Sequence, residues 1–103
     1  MTKEEYGSKL ESLGVSAKDI EFLEKVFDFA SKIHEGEKRL SGEDYITHPV
    51  SVSLKLAELK MDTGTVAAGL LHDAAEISLD ALKNIRKNFG EELAFLVDGV
   101  TKV

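Results

Sequence analysis

The sequence predicts an all-α domain, and three observations lead to that prediction. Apolar residues recur mainly at three- and four-residue intervals, as they do on one face of a helix. Residues that favour helix N-termini precede several of these runs, and glycines follow some of them. Only residues 50–56 alternate in the manner of a strand, and a single strand would have no partner. We therefore predict a helix there as well.

The first two helices are predicted from their end signals. Thr2 and Glu5 have the spacing of a capping box, and Gly14 is expected to end this short helix. Ser16 opens a longer helix that should end near Gly36. An apolar stripe, interpreted as core, runs along it through Ile20, Leu23, Phe27, Ala30 and Ile33.

The later helices are predicted in the same way. Pro49 suits the first turn of a helix and should push His48 towards extended geometry, so we expect His48 at a helix entrance. Asp62 opens the next helix, whose apolar run at residues 66–71 should be central and buried, and His72 follows it directly. Two further helices are expected at about residues 78–88 and 91–100.

Composition limits the possible classes of protein. A chain of 103 residues forms one domain, which buries roughly 60–68% of its unfolded surface. It has no apolar run long enough for a membrane span, and its charged N-terminus is unlike a signal peptide, so we expect a cytoplasmic protein. A net charge of −6 argues against broad nucleic-acid binding but allows a local basic pocket for a phosphorylated small molecule. Because cysteine is absent, any metal site must use nitrogen and oxygen donors.

Three residues are candidate metal ligands: His48, which stands 24 positions before His72, and the adjacent Asp73. Two imidazoles and a carboxylate are ligand types for Zn²⁺, Mn²⁺ or Fe²⁺, at about 2.0–2.2 Å and often with positions left open for water or substrate. A hydrolytic metal site is the leading hypothesis. Spacing alone leaves the alternative open that the histidines are hydrogen-bonded core residues and that Asp73 only pairs with a neighbouring Lys or Arg.

Three further residues are candidates for chemistry or binding. On a helix, Glu76 would share a face with His72 and Asp73, although it could equally be solvated at a helix end. In the polar loop before His48, the guanidinium of Arg39 could bind phosphate or stack on a base, and the Ser41 hydroxyl could contact a base edge. Taken alone, that loop could also be only a solvated tip. Three other residues are interpreted as structural: His34, Tyr45 and Phe89.

Four stretches in the same order closely resemble the N-terminal HD domain of RelA/SpoT homologues, proteins that make and hydrolyse the alarmone (p)ppGpp. They are SGEDYITHP at 41–49, AAGLLHD at 67–73, FGEE at 89–92 and VDGVTK at 97–102. The similarity runs from about Val26 to the last residue. It implies an all-α HD phosphohydrolase fold that uses Mn²⁺ to remove the 3′-pyrophosphate of (p)ppGpp. The products would be GDP or GTP and pyrophosphate, in control of the stringent response.

The resemblance also implies roles for residues. His48, His72 and Asp73 fall on three of the four family metal ligands, and the fourth is an Asp expected beyond Val103. Residues 1–103 are therefore expected to be the front part of a single HD domain, truncated on its C-terminal side. Alone, such a chain should bind Mn²⁺ weakly and hydrolyse little or no ppGpp. Its uncovered apolar faces could form a homodimer.

The nucleotide and the attacking water have implied partners too. By resemblance, Arg39 packs against the guanine, Ser41 lies beside it in the pocket, and Glu76 is the first acid of a pair that activates or positions water. Two positions depart from the family pattern, because Ile77 replaces the second acid and Leu40 replaces a basic residue. These departures favour an alternative, a degenerate HD module that binds nucleotide or regulates an attached synthetase domain without hydrolysis. A helical interaction scaffold is a third possibility.

Overall fold

The computed structural model describes residues 2–35, 46–74 and 80–101, and it confirms the all-α prediction. Every regular element in these ranges is a helix. The six that we number in chain order are α1 (Lys3–Ser12), α2 (Ala17–Ile33), α3 (Thr47–Glu58), α4 (Thr63–Leu71), α5 (Ala81–Phe89) and α6 (Glu91–Thr101). No helix in this described part of the chain is long and apolar enough to cross a membrane.

The predicted N-terminal caps of the first two helices are present. At α1, the Thr2 hydroxyl accepts from the Glu5 amide at 3.1 Å, and the Glu5 carboxylate accepts from the Thr2 amide at 3.0 Å. This contact holds the pKa of Glu5 below its usual range, because the backbone N–H of Thr2 stabilises the carboxylate. At α2, the Ser16 hydroxyl accepts from the Asp19 amide at 3.2 Å. Gly14 follows α1 with φ +89°, the left-handed conformation that glycine adopts at low cost.

The segment with strand-like alternation is helical. α3 buries Val50, Ser53 and Ala57, which are three and four positions apart, so the helical intervals decide the packing. The helix begins at Thr47, and His48 therefore lies within its first turn, where the prediction of extended geometry is wrong. The first turn tolerates Pro49 because its N–H groups have no partner within the helix.

The centre of the fold is α4, as predicted. Residues 66–71 are all buried, and the five apolar side chains among them are at most 2% exposed. α4 packs against α2, α3 and α6, while α1 packs against α2 and α3. Burying these side chains is the main source of stability for such a helix, at roughly 25 cal/mol per Å² of apolar surface. The central helix thus provides a fixed support for the residues that follow it.

A buried polar connection joins α1 to the α3–α4 pair. The Tyr6 hydroxyl lies 2.6 Å from Ser53 Oγ, and Ser53 Oγ donates to the Val66 carbonyl at 3.1 Å. Since the Ser53 proton is used on Val66, the Tyr6 hydroxyl is the donor to Ser53. Tyr6 and Ser53 are both fully buried. Burial raises the pKa of Tyr6 to about 12 because the phenolate would be poorly solvated there.

The residues interpreted as structural lie in packed positions where the structure describes them. Phe89 meets Phe22 and Phe29 edge-on, with ring centroids 6.1 Å and 5.4 Å apart. His34 is 3% exposed at the C-terminal end of α2. Tyr45 lies outside the described residues. Gly90, with φ +101°, ends α5 and lets α6 begin at once.

Candidate metal centre

His48, His72 and Asp73 come together at one end of the α3–α4 pair. Asp73 Oδ1 lies 3.2 Å from His72 Nε2, and Asp73 Oδ2 lies 3.9 Å from His48 Nε2. The two imidazole rings have centroids 5.3 Å apart at an angle of 63°. One ligand atom from each residue lies within 4.8 Å of the others. The sequence predicted this proximity, and the role as metal ligands remains a prediction.

The local structure explains how these side chains are positioned. His48 projects from the first turn of α3, and His72 caps the C-terminal end of α4, with Asp73 next in the chain. The C-terminal end of a helix carries partial negative charge, which disfavours a carboxylate such as Asp73 and favours a cation. The side chains of Asp73 and His72 are 13% and 19% exposed, whereas that of His48 is 39% exposed. The group is therefore open to solvent on the His48 side.

One backbone contact decides which nitrogen of His72 can act as a ligand. Nδ1 lies 2.7 Å from the carbonyl oxygen of Gly69. A carbonyl only accepts hydrogen bonds, so Nδ1 must carry the proton. In the neutral ring the lone pair then lies on Nε2, the nitrogen that faces Asp73. Such a contact to the non-ligating nitrogen is typical of metal-bound histidines.

The donor set fits a divalent cation. In the neutral ring, His72 Nε2 is an acceptor that faces a second acceptor, Asp73 Oδ1, at 3.2 Å. Two acceptors at that distance need a proton or a cation between them. Ligands of one ion with bonds of about 2.1 Å are about 3.0–3.4 Å apart at ordinary coordination angles. The His72–Asp73 separation falls in that range, and the 3.9 Å separation at His48 is wider.

Arg39, Ser41 and Glu76 lie outside the described residues, as does Ile77. Their roles stay predictions from the sequence. Sequence reasoning missed Gly69, which contacts His72 through its carbonyl oxygen. Its position, three residues before a histidine at a helix end, was the only available signal.

Comparison with known proteins identifies the family. The HD domain family matches residues 26–103, which is most of the chain. The chain belongs to the HD domain family. Members of this family depend on a metal, which agrees with the His-Asp cluster. α1 and the first part of α2 precede the matched residues.

The curated relatives of this HD domain confirm the resemblance to RelA/SpoT proteins. A GTP pyrophosphokinase of Streptomyces antibioticus is 49% identical over 81 residues, 79% of this chain and 10% of the relative. A guanosine-3′,5′-bis(diphosphate) 3′-pyrophosphohydrolase of Aquifex aeolicus is 47% identical over 83 residues, 81% and 12% respectively. The bifunctional (p)ppGpp synthase/hydrolase SpoT of Escherichia coli is 44% identical over 84 residues, 82% and 12%. The chain thus spans about a tenth of the length of these relatives.

Proposed function

We propose that this HD domain hydrolyses (p)ppGpp as a metal-dependent 3′-pyrophosphohydrolase, forming GDP or GTP and pyrophosphate. The observation that carries the proposal is the convergence of His48, His72 and Asp73, with His72 Nε2 and Asp73 Oδ1 3.2 Å apart at the end of a buried helix. The names of the Aquifex and Escherichia relatives support the substrate and the bond that is broken. The resemblance and the sulfur-free donor set support Mn²⁺ as the ion.

Four residues of the chain have proposed roles in binding the ion. His48 Nε2, His72 Nε2 and an Asp73 oxygen would hold the ion, and the Gly69 carbonyl keeps the His72 ring oriented. When bound, the ion supplies Lewis acidity towards the pyrophosphate and makes water more acidic. The cluster is most exposed at His48, and the substrate would approach the ion from that side.

The resemblance to RelA/SpoT proteins implies roles in this reaction for three further residues. Arg39 and Ser41 hold the guanosine, and Glu76 orients water and takes its proton. The oxygen of water attacks the phosphorus that is attached to the ribose 3′ oxygen, and the bond between that phosphorus and the 3′ oxygen breaks. The 3′ oxygen leaves with a proton, and pyrophosphate is released. A positioned carboxylate in such a step contributes roughly 10²–10⁴-fold in rate.

Replacement of the shared carboxylate tests this proposal. Asp73→Asn in the full-length protein should abolish Mn²⁺-dependent release of pyrophosphate from ppGpp, because the amide cannot supply a charged ligand. Asp28→Asn is the matched control, since its carboxylate pairs with Lys3 on an exposed surface. Turnover by Asp73→Asn at the wild-type rate would refute the assignment, provided that both variants show the wild-type circular dichroism spectrum.

A second function has a specific observation in its favour. Ile77 and Leu40 replace residues that the resemblance leads us to expect at the water and nucleotide sites. A module that binds (p)ppGpp, or regulates a synthetase domain, without hydrolysing it would tolerate both changes. Equilibrium binding of ppGpp by the full-length protein, together with no release of pyrophosphate in Mn²⁺, would select this function over the first.

A further inference from the structure

Gly69 lies where α4 crosses α3. A Cβ atom added there would lie 2.8 Å from Leu56 Cδ1, closer than real side-chain carbons approach. It would also lie 3.4 Å from Cα and 3.5 Å from the amide nitrogen of Ser53. The two helix backbones therefore approach each other closely because residue 69 has no side chain.

The Ser53 side of this contact has little freedom to retreat. Its hydroxyl donates to the Val66 carbonyl and accepts from Tyr6, and all of these polar atoms are in the buried interior. Moving the α3 backbone outward would stretch hydrogen bonds that water cannot replace. A side chain at position 69 would thus have to displace Leu56 or push the two helices apart.

The same crossing lies close to the candidate metal ligands along both helices. His48 is five positions before Ser53 on α3, about 7.5 Å along the helix, and His72 is three positions after Gly69. A larger separation at the crossing would carry His48 away from Asp73, where the distance is already 3.9 Å. The Gly69 carbonyl also accepts a hydrogen bond from His72 Nδ1 at 2.7 Å, so a shift of the Gly69 backbone would turn that ring.

We propose that Gly69 is a positioning residue for the metal centre. Its bare Cα sets the separation of α3 and α4, which places His48, and its carbonyl makes Nε2 the ligating nitrogen of His72. This inference rests on the proposed metal site but not on the reaction, since it concerns binding of the ion alone. Loss of an outer contact of this kind typically weakens metal binding by about 10–100-fold.

The experiment measures Mn²⁺ binding to the full-length protein by the electron paramagnetic resonance signal of the free ion. Gly69→Ala should weaken binding at least about tenfold while the circular dichroism spectrum stays unchanged. Leu56→Ala removes the atom that a new Cβ would meet at 2.8 Å. The double variant Gly69→Ala/Leu56→Ala should therefore regain most of the affinity.

The controls separate positioning from general destabilisation. Gly64→Ala adds the same methyl group to α4, where its nearest neighbours among the described residues would be Leu96 Cδ1 at 3.3 Å and Asp62 Oδ1 at 3.7 Å. Gly64→Ala and Leu56→Ala should both bind Mn²⁺ as the wild type does. If Gly69→Ala does not fold, Leu56→Phe replaces it, because a larger side chain crowds the same crossing from α3.

The outcomes are distinct. A folded Gly69→Ala, or Leu56→Phe in its place, with wild-type affinity overturns the inference and leaves the metal centre standing. A double variant that stays as weak as Gly69→Ala also overturns it, because the loss would then not come from crowding. Wild-type protein that binds no Mn²⁺ overturns the proposed metal centre, and the inference with it.

Discussion

The buried hydroxyl of Tyr6 offers the sharpest test of how the core is assembled. Tyr6→Phe removes one oxygen atom and keeps the ring beside Phe27, where the ring centroids are 5.3 Å apart. Ser53 keeps its hydrogen bond to Val66, so the variant loses a single bond and leaves no buried donor without an acceptor. At neutral pH we expect the free energy of unfolding to fall by about 0.5–1.5 kcal/mol.

The same substitution should behave differently in alkali. Burial raises the pKa of Tyr6 to about 12, whereas an exposed tyrosine has a pKa of about 10. As the pH rises from about 10 to about 12, the unfolded chain gives up this proton before the folded chain does. The wild-type protein therefore loses stability in that range, by about 1.4 kcal/mol near pH 11. The Phe variant has no such proton to lose.

Urea unfolding of both proteins at a series of pH values measures the difference. Other titrating groups are common to the two chains, so their contributions cancel in the comparison. The wild-type advantage should be constant up to about pH 9 and should vanish or reverse near about pH 11. A constant advantage throughout would show that the Tyr6 phenol is not desolvated in the native state, and the reasoning would be wrong.

Three other predictions concern the core, the ion and the reaction. Leu10→Ala should lower the free energy of unfolding by about 2–5 kcal/mol in urea titrations, because Leu10 is fully buried in α1; a loss below about 1 kcal/mol would contradict that packing. Mn²⁺ at about 100 times its dissociation constant should stabilise the wild type by about 2.7 kcal/mol in thermal unfolding. EDTA should remove this effect, and Asp73→Asn should never show it. Ile77→Asp in the full-length protein should raise kcat for ppGpp hydrolysis by roughly tenfold or more with little change in KM, and an unchanged kcat would show that Glu76 suffices.

The helices could be predicted because their signals are local. Thr2, Ser16 and Asp62 each cap a helix through contacts that span three positions. Such contacts form with little help from the rest of the chain. The segment from Thr47 to Glu58 was harder, because its alternation suits a strand as well as a helix. Because the sequence pattern contains no second strand that could pair with this segment, we predicted a helix, and the helix is confirmed.

The candidate site could be predicted only in part. Residue type and spacing grouped His48 with His72 and Asp73 as candidate ligands, and the family resemblance strengthened that prediction. The role of Gly69 was not visible, because it depends on where two helices cross. The bond between Tyr6 and Ser53 joins positions 47 apart and follows no local pattern. Contacts of this kind are set by tertiary packing, which composition and periodicity do not encode.

The buried hydrogen bonds of Ser53 and the candidate metal centre involve the same two helices, α3 and α4. A metal centre needs its ligands held in place before the ion arrives, since ordering them afterwards reduces affinity. The candidate ligands lie on α3 and at the C-terminal end of α4, and these helices are joined by the Gly69 contact near the site and by the Ser53–Val66 hydrogen bond farther from it. Tyr6 reinforces that bond from α1, which precedes the residues matched by the HD domain family. The N-terminal helix α1 therefore supports the α3–α4 pair. We expect its removal to weaken ion binding and to lower the free energy of unfolding.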